Sequence, residues 1–128
     1  MDTAETAEAF TELLRLKRDR EAGERFWAEG VASLEPMEGE MARLEGAAAI
    51  REKHDWWEKN FTVHQAWTDG PYVHGDQFAC KFTVDATGPD GKRATMQEIG
   101  LYTVRDGKVV EERFFAVPGI THAKDEPA

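Results

Sequence analysis

Glu98 lies in the run Met96-Gln97-Glu98-Ile99-Gly100-Leu101-Tyr102-Thr103-Val104, where Glu98, Gly100, Tyr102 and Val104 share one face of a strand. If that face is covered, burying the carboxyl without a partner is costly and favours its neutral form, the form a proton donor needs. Pairing across the sheet with Arg113 or Lys81 would instead leave it ionised and inert. Glu35 stands immediately before Pro36, at the end of a short strand, where an exposed strand-end acid is the plain reading. Lys53 or His54 shares a helical spacing with Ile50, Trp57 and Phe61, and the imidazole of His54 is the side chain that titrates nearest neutral pH. The competing role for His54 is a core-edge histidine hydrogen-bonded to a carboxylate. His64 falls on a strand, and His74 in a glycine-containing loop beside Asp76. Converging, Glu35, His54, His64 and Glu98 would make a mouth of acids and imidazoles suited to moving protons. The same residue types can bind metal, but no His-x-x-x-His or Cys-x-x-Cys pair supports that, and no metal site is expected.

The elements that must position these groups are legible in the periodicity. Ala9, Phe10, Leu13, Leu14 and Leu16 predict a helix over 3–20, and Glu24 to Glu29 a short second helix carrying Phe26 and Trp27. Val31 to Glu35 predicts a strand stopped by Pro36, with a further short strand around Met41 to Leu44. A helix starting at Gly46 places His54 and Trp57 on its buried side. Strands follow over 62–68, 77–87, 92–104 and 108–117, separated by turns at Asp69-Gly70-Pro71, Gly88-Pro89-Asp90-Gly91 and Asp106-Gly107. Cys80 shares parity with Phe78, Phe82 and Val84 and is expected in the core. Helices first and hairpin-linked strands afterwards predict an α+β domain with helices on one face of an antiparallel sheet.

The 128 residues are expected to form one domain over 1–128, with 118–128 a polar tail that frays. A formal charge of −9 argues against nucleic acid and anionic membrane surfaces as partners. No apolar run approaches membrane-spanning length and the first residues are acidic, so a cytoplasmic chain is expected. The lone Cys80 excludes an internal disulfide. No phosphate loop, nucleophile elbow or dinucleotide fingerprint is present, so no cofactor is expected. The chain has 13 aromatic residues; most must be core, but a cavity walled by several of them, among them Trp27, Trp57, Phe82, Tyr102 and Phe115, would accept a flat apolar ligand. Trp56 and Trp57 are adjacent and cannot both face inward, which makes one a candidate dimer contact.

Phe26-Trp27-Ala28-Glu29 leading to Leu34-Glu35-Pro36, then Gly46-Ala47-Ala48-Ala49-Ile50-Arg51-Glu52, and finally Asp106-Gly107-Lys108-Val109-Val110 carry a resemblance. In order and spacing they resemble the cone-shaped superfamily named after nuclear transport factor two, and within it the SnoaL-like polyketide cyclases and ketosteroid isomerase. The resemblance implies a curved antiparallel sheet under N-terminal helices, enclosing a pocket, and a homodimer paired through the outer face of the sheet. It places Glu35 where ketosteroid isomerase-like proteins carry the base that moves a proton next to a carbonyl, and His54 where the helix lines the pocket. Three features depart from it. Phe10 stands nearest the family's first-helix tyrosine, and the family's protonated acid falls near Ile99 or Gly100, beside Glu98. The acid that SnoaL-like cyclases often carry on the last strand has no counterpart after Phe114-Phe115, where Ala116 and Val117 follow. Taken together, the expected function is binding of a small hydrophobic molecule with cofactor-free isomerase, dehydratase or cyclase chemistry. Glu35 would be the base and Glu98 or His54 the proton donor or orienter. Trp27, Trp57, His64, Phe82, Tyr102 and Phe115 would contact the ligand. A non-catalytic binding module, or a dimerisation domain closed by its own aromatics, is the alternative.

Overall fold

A computed structural model describes residues 1–116, so the expectations for Val117 and for 118–128 lie outside the described residues. Helix α1 spans Thr3–Arg15. It opens on a reciprocal cap in which the Glu5 N–H donates to Asp2 Oδ1 at 2.8 Å and the Asp2 N–H to Glu5 Oε1 at 3.1 Å. It closes earlier than its periodicity predicts, because Lys17 turns left-handed at φ 61°. The Lys17 N–H then reaches the Leu14 carbonyl at 3.1 Å and the Arg18 N–H the Leu13 carbonyl at 2.8 Å, which satisfies the helix end.

Helix α2 runs Asp19–Phe26, straight through Gly23. A glycine inside a helix weakens it, but here a Cβ would stand 2.7 Å from Trp27 Cζ3, so the missing side chain makes room for the indole. Trp27 is therefore the first residue of strand β1 (Trp27–Leu34), not part of the second helix. Strand β2 (Arg43–Glu45), helix α3 (Ala47–Asn60) and strands β3 (Thr62–His74), β4 (Gln77–Thr87), β5 (Arg93–Arg105) and β6 (Lys108–Phe115) follow.

The six strands form one curved, unclosed sheet in the order β2-β1-β6-β5-β4-β3. Every neighbouring pair is antiparallel except β1 with β6, which run parallel because the chain crosses back from the long meander to the strand where it began. Asp69-Gly70-Pro71 does not end a strand, as predicted. It forms an irregularity between Asp69 and Tyr72, and β3 continues to a turn at Gly75-Asp76.

The helices cover one face of the sheet. Phe10 and Leu13 from α1, Ala22 and Phe26 from α2 and Ile50 from α3 pack with Val31, Phe78, Cys80, Tyr102, Val104 and Val109. Cys80 is buried as expected, its Sγ 3.4 Å from Thr11 Oγ1, and burial pushes its thiol pKa up. No helix of the described residues is long and apolar enough to cross a membrane.

Since Gly23 exists to admit the Trp27 indole, Gly23→Ala should lower stability by about 1–3 kcal/mol through overpacking. Thermal unfolding of the variant checks this. A melting temperature equal to that of the parent would show that the indole yields without cost.

Candidate functional site

The inner face of the sheet carries three carboxyl groups and one lysine. Ser33 registers with Glu112, Glu112 with Tyr102, Gly100 with Phe114, and Glu98 with Phe82, so these residues share the helix-covered side. Lys53 descends from α3 toward them. Its Nζ donates to Glu35 Oε1 and to Ser33 Oγ, each at 2.8 Å, and lies 5.1 Å from the centre of the Phe114 ring. Ser33 Oγ donates onward to Glu112 Oε2 at 3.3 Å, and Trp27 Nε1 donates to Glu112 Oε1 at 2.8 Å. Glu112 is only 3% exposed, so these two donors and the nearby ammonium are what make the carboxylate tolerable.

Glu98 is the carboxyl left over. Among the described residues Lys53 pairs with Glu35, and no cation pairs with Glu98. Burial, then the charge of Glu35, raise its pKa to about 7, against a smaller downward pull from Lys53 and a further push from Glu112. Burial raises Glu112 as well, while Trp27, Lys53 and Ser33 draw it back. Neither cross-sheet partner considered for Glu98 is available. Lys81 registers with Ile99 and Arg113 with Leu101, both on the opposite face.

The sequence-predicted residues divide into those the fold gathers and those it separates. Glu35 pairs with Lys53; Glu98, Phe82 and Tyr102 share the inner face with Glu112; and Trp27 bonds to Glu112. Trp57 is half-buried on α3 and stacks on Phe61 at 3.8 Å. His54 packs against Trp27 at 5.7 Å between ring centres. There it lines a void of about 10 Å³ with Asp19, Arg20, Arg51 and Glu58, room for about one water. Burial, then Lys53 and Arg51, lower its pKa to about 4, so it is neutral at pH 7. His64 is exposed on the edge strand β3 and meets Thr87 Oγ1 at 2.7 Å, so the expected convergence of Glu35, His54, His64 and Glu98 does not occur. Phe115 is also displaced from its expected place. It registers with Ile99 on the outer face, 50% exposed, and Phe114 is the inward ring. Among the described residues no group of three or more His, Cys, Asp or Glu is arranged to hold a metal ion.

Lys53, Ser33 and Glu112 were missed. Lys53 had a signal, since it shares the helical stripe with His54. Glu112 had a misleading one. A register shift between Thr103 and Val104 lets Val109 and Glu112 face the same side, whereas simple alternation from Val109 would turn Glu111 inward.

A family model described as the SnoaL-like domain matches residues 1–116. The chain belongs to the SnoaL-like domain family. It is similar to a candidate SnoaL-like polyketide cyclase from Mesorhizobium loti, with 49% identity, 90% of this chain and 99% of that one covered, and a TM-score of 0.87. The fold also matches a candidate isomerase from Bacillus subtilis at 23% identity, covering 92% and 91% of the two chains with a TM-score of 0.72. A candidate polyketide cyclase from Pseudomonas putida matches at 16% identity, 92% and 93% coverage, and a TM-score of 0.68. No curated protein matches the chain.

The two displaced pKa values act on stability with opposite signs. Glu98 is raised from the ordinary 4.5 to about 7, so folding is penalised as pH rises from about 4.5 through 7. His54 is lowered from 6.5 to about 4, so the stability that comes with its neutral form is complete above 6.5 and lost as pH falls toward 4. Glu98→Gln should therefore melt progressively higher than the parent as pH rises across 4.5–7. His54→Gln should narrow the parent's loss on acidification across 6.5–4. Melting curves of the three proteins at half-unit pH steps check both, and parallel curves would contradict the assignments.

Proposed function

We propose that this SnoaL-like protein binds a small hydrophobic carbonyl compound against the inner face of the sheet and moves a proton on it without a cofactor. The observation that carries the reading is the Glu98 carboxyl, held near neutrality beside a Lys53–Glu35 ion pair. A group with a pKa close to the working pH both takes and returns a proton with little driving-force penalty. Glu98 is therefore the proton carrier. Glu35, expected as the base, is held by Lys53 and serves as the fixed charge that keeps Glu98 from ionising early. Lys53 adds a positive charge near the site, which would favour negative charge developing on a carbonyl oxygen. Phe82, Phe114 and Tyr102 supply apolar contact, and His54 supports the wall through Trp27. Isomerisation, dehydration and cyclisation share this proton step, and the likeness to the candidate polyketide cyclase from Mesorhizobium loti agrees with it.

The second reading is a dimerisation module, favoured by the outer face. There Lys81, Ile99 and Phe115 form a row, with Ile99 47% exposed, beside a shallow hollow of about 320 Å³ at the end of the sheet that Gln97, Glu98 and Ala116 also line. A homodimer through that face is compatible with catalysis on the inner one.

The reading predicts protein-catalysed exchange of α-protons when small cyclic ketones and lactones are held in D₂O and followed by NMR. The rate should follow a group of pKa about 7 and fall by about a hundredfold or more in Glu98→Gln. Exchange that is absent, or undiminished in that variant, would reject Glu98 as the proton carrier.

A further inference from the structure

Just past the end of α1 stands a left-handed residue that is not glycine. Lys17 holds φ 61°, a conformation that strains any residue with a Cβ and that helix ends commonly give to glycine. Its side chain reaches across to the sheet. Lys17 Nζ donates to the Ala66 carbonyl at 2.8 Å, and Arg15 Nη2, its guanidinium steadied by Glu12 Oε2 at 3.2 Å, donates to the Gly70 carbonyl. Both acceptors lie on β3, which among the described residues is the outermost strand on its side of the sheet. Alternate residues of such a strand turn both backbone groups outward. Ala66, Thr68 and Gly70 therefore form the row with which a further strand would pair.

The composition of this edge invites pairing. Thr62 to Thr68 carries Thr, Val and Trp and no Asp, Glu, Lys or Arg, in a chain of which 32% is charged, whereas exposed edges are commonly blunted by charge. Irregularities blunt its flanks, one between Val63 and Gln65 and one between Asp69 and Tyr72. Between them Gln65 to Asp69 keeps regular register with β4, and the two cations hold the edge at Ala66 and Gly70, along this stretch and at its end. Exposed bonds of this kind add little to stability, since water replaces them readily. Their effect falls on an arriving strand, which would have to displace an ammonium and a guanidinium from the carbonyls it must use.

We propose that Lys17 and Arg15 form an autoinhibitory cover on the β3 edge, and that the strand they hold off is β3 of a second copy of this chain. Antiparallel pairing about a two-fold axis at Thr68 sets Thr68 against its own counterpart and Ala66 against Gly70, so the row is complementary to itself. The same register sets Trp67 opposite Asp69, and Asp69 never meets its like. This edge is separate from the row of Ile99 and Phe115, which lies on a face of the sheet. The cover acts whether or not a ligand binds the inner face.

The test compares the full-length parent with Arg15→Ala/Lys17→Gly, whose glycine suits the left-handed backbone, by sedimentation over a concentration series at pH 7. When dilute, the variant should melt within about a degree of the parent. On concentration it should associate one step further than the parent, with a dissociation constant for that step lower by about tenfold or more. The amides of Ala66 and Thr68 should exchange with solvent at least about tenfold more slowly in the associated variant than in the dilute one. Arg15→Ser/Lys17→Asn, a second uncharged pair that the left-handed position also tolerates, should associate likewise, and Lys17→Arg, which keeps a cation in reach, should behave as the parent. Association of the double variants no stronger than the parent's, or association that leaves those amides unprotected, would overturn the proposal. So would a parent whose own association protects them, a Lys17→Arg protein that associates like the double variants, or failure of both double variants to fold, which would mean that the two side chains serve the fold.

Discussion

One lysine faces three carboxyl groups inside this domain, and that imbalance governs the rest. If Glu35, Glu98 and Glu112 were all ionised, Lys53 would leave the interior with two uncompensated negative charges in surroundings that screen them poorly. The fold resolves the excess unequally. Glu35 takes the ammonium at 2.8 Å. Glu112 takes the indole N–H and the serine hydroxyl. Glu98 takes nothing comparable and keeps its proton to about pH 7. Burial is the first cause of that raised pKa, and the charge of Glu35 the second.

The scaffold around the cluster serves that arrangement. Gly23 gives up its side chain so that Trp27 can lie against α2, and Trp27 so placed presents its N–H to Glu112. The parallel pairing of β1 with β6 brings Ser33 opposite Glu112, which lets one hydroxyl accept from Lys53 and donate to the acid. Strands β4 and β5 run in unbroken register from Gln77↔Thr103 to Thr87↔Arg93, and this rigid pair fixes Phe82, Glu98, Gly100 and Tyr102 relative to one another. A partly buried carboxyl without a cation lowers stability at neutral pH, and such a cost is ordinary where function needs a group its surroundings do not favour.

Most of the frame was legible in the sequence because it rests on period and turn chemistry. Helix α3, strands β4 to β6 and the Asp106-Gly107 turn follow from alternation and left-handed turn residues, and Glu98 was conspicuous as an acid in an apolar run. The misses have physical causes. Gly23 reads as a helix breaker until the indole that fills its space is known. Asp69-Gly70-Pro71 reads as a turn, yet a long edge strand absorbs it as an irregularity. Adjacent pairs of like residues defeat parity. Glu111 or Glu112, and Phe114 or Phe115, each contain one inward residue, and the register shift in β5–β6 decides which. Hydrogen bonds between distant strands, such as Trp27 to Glu112, leave no local trace in a sequence.

The protonation of Glu98 is tested most directly by a ¹³C NMR titration of side-chain carboxyls in protein labelled at glutamate Cδ, with Glu98→Gln used to assign its resonance and Lys53→Met as the perturbation. The Glu98 midpoint should lie near pH 7 in the parent and move upward when the lysine charge is removed. A midpoint near the ordinary 4.5, or one that falls when Lys53 is replaced, would contradict Glu98 as the carboxyl left without a cation.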